Sequence, residues 1–524
     1  MTSCSAPTAR GMASDSRAPP ATFRDVVDAH ASEQPRAPFL IAPEPDLTID
    51  YEALRQNCRA FASSLATRNI APGATVSYML ENGVSAATVF LGAMYGGYVV
   101  SPVNLHAQDA QLDYTLAHSE TRLVFVGDAH RERLERARER TRAPFDVCVV
   151  DTDGLPLPAS RGEGWGEGYT IKPDQPAMLM YTSGTTGQPK GALLSHANML
   201  SGARALAQSL ALTPADRVLS SLPLYHINGQ CIATVAPLVS GGSIVMPHRF
   251  SVSQWWTLVE RHRPTWLNMV PTIIAYLLNG PALTGAQVDA CRGIRFGRSA
   301  SAPLPPEQHR AFERRFGFSV IEAMGLTECA SVAFSNPLDK SKRKYGSPGT
   351  PIGVEARVVD ASDAPVADDV RGEIELRGPN VMLGYFKSPE STAAALRKGG
   401  WLATGDLGYR DADGFYFITG RLKELIIKGG ENIAPREIDE ALLAHPAVLE
   451  AAAVGVPDPA YGQEILACVV VKPGASCSED ELRMHCAATL GRYKSPRYLR
   501  IVAELPKGAS GKVQRLKLVS LIAI

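Results

Sequence analysis

The chain has 524 residues, 45% of them apolar and 20% charged. That length exceeds one ordinary core, so two or more domains are expected, and the composition is globular rather than disordered or fibrous. Lysine plus arginine and aspartate plus glutamate balance at 53 each, which excludes a strong overall pull toward nucleic acid or an anionic membrane. The nine cysteines stand singly, with no Cys-x-x-Cys pair and no zinc-like spacing to histidine, the pattern of reduced thiols in a cytoplasmic protein.

Residues 1–21, rich in Ala, Ser, Thr and Pro, read as a disordered leader without the apolar core of a secretory signal. Over 51–70, Tyr51, Leu54, Cys58, Phe61 and Leu65 recur at helical spacing, and a strand at 74–80 follows the Ala-Pro-Gly turn. The apolar stretch 84–103 is interrupted by Gly92, Gly96, Gly97 and Pro102, which suits a buried helix and strand better than a membrane span. Helix 108–118, strand 123–126, helix 130–140 and strand 147–150 continue an alternation that predicts an α/β fold with largely parallel sheets. A glycine-rich stretch at 161–168 reads as a surface loop, and Ser195 is placed to cap a helix running to about Leu210. Strands at 219–222, 243–246, 266–269, 294–296 and 319–322 predict a second α/β layer, and those at 355–359 and 372–376 a small antiparallel region. The boundary falls at Arg421-Leu422-Lys423-Glu424. Residues 22–421 form the large domain of stacked α/β subdomains; 422–524 form a small α+β unit with a helix from Pro435, strands at 448–456 and 465–471, and a helix at 478–490 opened by a Ser478–Glu481 capping box.

The segment Tyr181-Thr-Ser-Gly-Thr-Thr-Gly-Gln-Pro-Lys-Gly191 places three glycines, four Ser/Thr hydroxyls and one lysine after an apolar run. Glycines let backbone N–H groups turn toward an anion, hydroxyls add donors, and Lys190 adds charge, so the loop suits a polyphosphate. It is not a Walker A loop, because Pro189 stands where that pattern needs the glycine before its lysine.

Five further segments follow: Ala-Met-Gly-Leu-Thr-Glu at 323–328, Thr-Gly-Asp at 404–406, Gly-Arg-Leu-Lys-Glu at 420–424, Lys-Gly-Gly-Glu-Asn at 428–432 and Pro-Lys-Gly-Ala-Ser-Gly-Lys at 506–512. In this order and spacing the chain resembles the adenylate-forming superfamily, in its acyl-CoA synthetase branch, from about residue 22 to 517. The resemblance implies a soluble enzyme, monomeric or homodimeric, that makes an acyl adenylate and pyrophosphate from a small carboxylic acid and ATP, then passes the acyl group to coenzyme A. It assigns Thr182, Ser183, Gly184, Thr185, Thr186, Gly187 and Lys190 to the phosphates and Thr327 to the α-phosphate. Glu328, a hard oxygen ligand, is assigned to Mg²⁺. It places adenine between Ser301, Ala302 and Pro303 on one side and Glu322, Ala323, Met324 and Gly325 on the other, and the ribose on Asp406 and Arg421. Lys423 takes the hinge of a mobile lid, Lys512 the catalytic bridge between carboxylate and α-phosphate, and Lys428, Gly429 and Gly430 the pantetheine tunnel. Trp401 reads equally as cleft lining or as packing.

The acyl pocket is assigned by the same resemblance to His226, Asn228, Arg298 and Ser299, with His226 also a catalytic candidate. This lining is more polar than a fatty or aryl acid asks for. Arg298, Ser299, Ser301, His226 and Asn228 can meet a second anionic group on a short substrate, while an internal salt bridge from Arg298 to Glu322 is the alternative. The surrounding residues look most like oxalyl-CoA synthetases, beside 4-coumarate and malonate ligases. Oxalate is therefore expected first, with malonate or sulfoacetate behind it; Asn228, where oxalyl enzymes often carry histidine, departs from that pattern. An aryl or fatty acid ligase and a stand-alone adenylating enzyme with another acceptor are the competing readings. A peptide-synthetase module is disfavoured, since the aspartate expected near the start of 226–235 is absent.

Overall fold

The computed structural model describes residues 19–155, 169–182, 188–507 and 513–521. The expected leader up to residue 18 and the loop at 161–168 lie outside them. The described strands form four sheets. A seven-stranded sheet runs in spatial order Gly384–Tyr385, Lys190–Ser195, Pro176–Thr182, Val99–Pro102, Thr75–Met79, Leu123–Gly127 and Asp146–Val150. A nine-stranded sheet is ordered Thr350–Pro351, Phe334–Ser335, Val320–Met324, Phe296–Ser299, Trp266–Met269, Arg217–Leu219, Ser243–Val245, Pro38–Ala42 and Leu47–Asp50. Both are parallel in the middle and antiparallel toward an edge. Parallel strands need crossovers long enough for a helix, so the alternating sequence pattern becomes covered sheets.

The largest core joins these two sheets, with Tyr78, Val100 and Met178 of one and Trp266, Phe296 and Ile321 of the other in the same buried cluster. The Val84–Tyr95 helix is buried along its whole length there, and the Val99–Pro102 strand after it is buried too. Their apolar run is explained by enclosure from all sides, and none of the described helices is long and apolar enough to cross a membrane. The other face of the nine-stranded sheet buries Leu267, Met269 and Val320 beneath the Val252–His262, Pro271–Leu278 and Pro306–Phe316 helices.

Residues 355–421 add an antiparallel sheet of Glu355–Val359, Gly372–Arg377, Trp401–Arg410, Leu396–Arg397 and Tyr416–Arg421. The fourth sheet belongs to the C-terminal region, with its own core around Ile438, Leu442, Ile465 and Leu482. Ser195 caps the His196–Ser209 helix by accepting from Asn198 N, as its position suggests. At the Glu479–Leu490 helix only half of the expected box forms: Ser478 accepts from Glu481 N, while the Glu481 side chain faces His445.

Several features depart from the sequence reading. The strand expected at 219–222 is Arg217–Leu219, ending three residues earlier. Pro38–Ala42 and Leu47–Asp50 form an edge hairpin that the proline-rich turn between them obscures. The strand expected at 294–296 runs from Phe296 to Ser299, because register with Trp266–Met269 starts it two residues later and ends it three residues later. Asn228–Val235 is a π-helix, closed by Ala236 N–H donating to the carbonyl of Cys231, five residues back. A 3.6-residue periodicity cannot reveal it.

Candidate active site

The Pro176–Thr182 and Lys190–Ser195 strands pair antiparallel with Tyr181 opposite Gly191 and Thr182 opposite Lys190. The phosphate-loop candidate therefore lies between two paired antiparallel strands and not at a strand-to-helix turn. Ser183, Gly184, Thr185, Thr186 and Gly187 lie outside the described residues; Thr182 donates to the Lys190 carbonyl at 3.4 Å.

Glu328 stands on the tight Thr327–Cys329 turn, which packs against the Lys190–Ser195 strand. The turn is drawn tight by left-handed Ala330 and Ser331 (φ 52° and 64°), and Gly325 passes so close to Ser331 that a Cβ would sit 2.0 Å from its carbonyl oxygen. Glu328 Oε1 accepts from the Tyr385 hydroxyl at 2.9 Å. Among the described residues, no three His, Cys, Asp or Glu side chains gather to hold a metal ion. A lone carboxylate beside a phosphate loop nonetheless fits Mg²⁺, which is commonly held by one or two carboxylates and the substrate's own phosphates.

Asp406 and Arg421 face each other across the Trp401–Arg410 and Tyr416–Arg421 strands. Arg421 Nε lies 2.7 Å from Asp406 Oδ1 and Nη2 lies 3.3 Å from Oδ2, with Asp406 4% exposed. Asp406, and more weakly Glu424 and Glu328, hold the Arg421 guanidinium firmly charged, so these four side chains share one field. The Asp406 carboxylate keeps lone pairs for further donors. Glu322 pairs in register with Ser299 and accepts from Leu304 N at 3.0 Å. Burial pushes its carboxyl up to about 7. Ser301 holds a left-handed backbone (φ 74°), which turns the chain between the Phe296–Ser299 strand and Pro303. Met324 ends the neighbouring strand, beside Ala323 and before Gly325.

Arg298 is 1% exposed and, among the described residues, its Nε and Nη1 have no hydrogen-bond partner. Burial pulls it down to about 9. The alternative of a salt bridge to Glu322 fails on register. Ser299 is opposite Glu322 and Arg298 opposite Ile321, so the two charges emerge on opposite faces of the sheet. Arg298 instead shares a face with its register partner Asn268, which donates to Asn228 Oδ1 at 3.0 Å; Asn228 donates in turn to Ser301 Oγ at 3.0 Å. Ser299 is buried on the opposite face, its hydroxyl without a partner among the described residues. His226 is half-buried at the start of the turn leading into the π-helix, its N–H donating to the Pro223 carbonyl at 3.0 Å. Asn268 was not singled out in the sequence, although an amide inside the buried strand Trp-Leu-Asn-Met is a signal that could have found it.

Lys423 is exposed on the Leu422–Glu424 turn that joins the third sheet to the C-terminal region. Gly429 and Gly430 hold positive φ of 56° and 87° in the adjoining hairpin. Lys428 is buried, its ammonium 2.6 Å from Glu464 Oε1 and 2.9 Å from the Tyr493 carbonyl, so it braces the hairpin internally. Lys512 lies outside the described residues, but Lys507 and Val513 pair across the base of its segment. Lys507 Nζ reaches 5.8 Å from the Tyr276 ring of the large domain. Trp401 is half-buried, with the guanidinium groups of Arg357 and Arg377 at 4.2 and 4.6 Å from its ring centroid.

The AMP-binding enzyme family matches residues 27–386, and the AMP-binding enzyme C-terminal domain matches residues 437–512. The chain belongs to this family. It is 53% identical over 503 residues to the sulfoacetate–CoA ligase of Cupriavidus necator, covering 95% of this chain and 97% of that one. An oxalate–CoA ligase of Arabidopsis thaliana is 32% identical over 87% of this chain and 90% of its own length. Among solved structures, ATP-bound MatB from Rhodopseudomonas palustris superposes with a TM-score of 0.86 at 31% identity, over 95% of this chain and 99% of that one. The chain is accordingly an ATP-dependent, AMP-forming acid–thiol ligase of the acyl-CoA synthetase kind.

Proposed function

We propose that the acid is short and carries a second anionic group, with sulfoacetate first and malonate or oxalate behind it. The observation that carries this is the buried Arg298 guanidinium, with two donors unclaimed by the described residues and Asn268 and Asn228 beside it. Leaving such a group unpaired is costly, whereas a substrate anion would complete it. The likeness to a sulfoacetate–CoA ligase at 53% identity moves sulfoacetate ahead of oxalate.

In this reading Arg298 anchors the distal anion and directs the carboxylate toward the α-phosphate, near Thr327. Asp406 and Arg421 take the ribose hydroxyls, Glu322 to Gly325 and Ser301 to Pro303 flank adenine, and Glu328 holds Mg²⁺. That ion would neutralise charge on the phosphates. Lys512 bridges the two reacting anions, which would otherwise repel. A carboxylate oxygen bonds to the α-phosphorus as the bond to pyrophosphate breaks. After the C-terminal region turns about Lys423, the CoA thiol, entering past Gly429 and Gly430 and losing its proton, attacks the acyl carbon and AMP leaves. Lys428 would serve that passage by bracing the hairpin.

Pyrophosphate release measured with sulfoacetate, oxalate, malonate, acetate, a medium-chain fatty acid and 4-coumarate, with and without CoA, tests this. Sulfoacetate is expected to lead and the monoanions to trail. Turnover of monoanions alone would end the two-anion reading.

A further inference from the structure

Tyr385 matches none of the sequence segments that carry the chemistry, yet it connects two of them. It lies on the Gly384–Tyr385 strand, which pairs antiparallel with Lys190–Ser195 so that Tyr385 is opposite Ala192. Phe386 N donating to the Gly191 carbonyl at 2.7 Å and Leu383 N donating to the Leu193 carbonyl at 2.9 Å clip the segment in place. A third clamp is Tyr385 N donating to Thr392 Oγ1 at 2.9 Å. The ring is thus fixed against the strand that leaves the phosphate loop. Its hydroxyl donates to Glu328 Oε1 at 2.9 Å, and Lys190 Nζ lies 5.1 Å from its ring centroid. Burial and the neighbouring Glu328 raise the phenol well above its usual range, so it remains a neutral donor.

We infer that Tyr385 is a positioning residue for the metal site: its hydroxyl occupies one oxygen of Glu328 and fixes the carboxylate rotamer so that the other oxygen is presented to Mg²⁺, while its ring seats Lys190. An ammonium free to reach Glu328 would form an ion pair and compete for the metal's ligand. Seated over the ring, it is kept near the phosphates without doing so. This rests on Glu328 being the metal ligand.

The test is Mn²⁺ binding, followed by loss of the free-ion EPR signal, in the complex of the enzyme with a non-reactive α,β-methylene ATP analogue. Analogue affinity is measured separately in EDTA. Tyr385→Phe, which keeps the ring and loses the hydroxyl, is expected to weaken Mn²⁺ binding about tenfold and leave affinity in EDTA unchanged. In a Glu328→Gln background, which itself should lose most metal affinity, removing the hydroxyl is expected to change nothing further. Native-like Mn²⁺ affinity in Tyr385→Phe, an equal loss of analogue affinity in EDTA, or additivity with Glu328→Gln would each overturn the inference. If Glu328→Gln alone binds Mn²⁺ like the native enzyme, it is the metal assignment that fails.

Discussion

In the proposed reading, the nucleotide side and the acid side of the site are built on opposite principles. Asp406 and Arg421 satisfy each other, and Glu328 is held by Tyr385, before any ligand enters. Arg298 has Nε and Nη1 unmet by the described residues. A preformed pair costs nothing to reorganise and treats every substrate alike, which suits the part of the reaction common to all acids. A buried donor without a partner penalises whichever ligand cannot supply one, which suits discrimination.

Substitutions separate the two principles. In the proposed reading Lys512 serves both reacting anions, so for Lys512→Ala pyrophosphate release should fall at least about a thousandfold. Thioester formation from a preformed adenylate should stay within a few-fold; parallel loss in both half-reactions would remove Lys512 from adenylation. Arg298→Met should lower kcat/KM for sulfoacetate about a hundredfold with little change in the KM for ATP. Equal losses for sulfoacetate and acetate would make Arg298 merely structural. On the other side, Asp406→Asn keeps an acceptor for Arg421 and should raise the KM for ATP about tenfold without altering the ranking of acids. A changed ranking would blur the division between the sides.

The last effect is read in stability. Burial holds the Glu322 carboxyl protonated to about pH 7, against 4.5 for the ordinary group. The folded state therefore binds the extra proton, and stability falls as pH rises from 4.5 to about 7 and stays lower above that. Glu322→Gln, neutral throughout, should match the native protein below pH 4.5 and gain on the order of 1–3 kcal/mol above pH 7. Denaturant unfolding at pH 4 and pH 8 checks the sign.

The nucleotide side was the more legible in the sequence. Asp406 and Arg421 sit on consecutive strands of one antiparallel sheet, so short motifs carry nearly all of their geometry. The alternating α/β pattern was legible for a similar reason: its periodicity is local, and enclosure only reinforces it. Arg298 could be picked out as a polar residue in an apolar setting, but the face it takes depends on register with Val320–Met324, which no local pattern encodes. Asn268 and Tyr385 acquire their roles from partners 40 and 57 residues away. The bracing of Lys428 by Glu464 and Tyr493 was equally out of reach, because a lysine beside two glycines reads as exposed.

In the proposed reading, the loose winding of Asn228–Val235 lies at the acid side. A π-turn carries one residue more than the regular helix into which it runs at Ala236. Losing that residue would let the segment rewind as an ordinary helix and rotate whatever lies before it by about 100°. Asn228 would then swing away from Ser301 and Asn268 while the sheet stayed still.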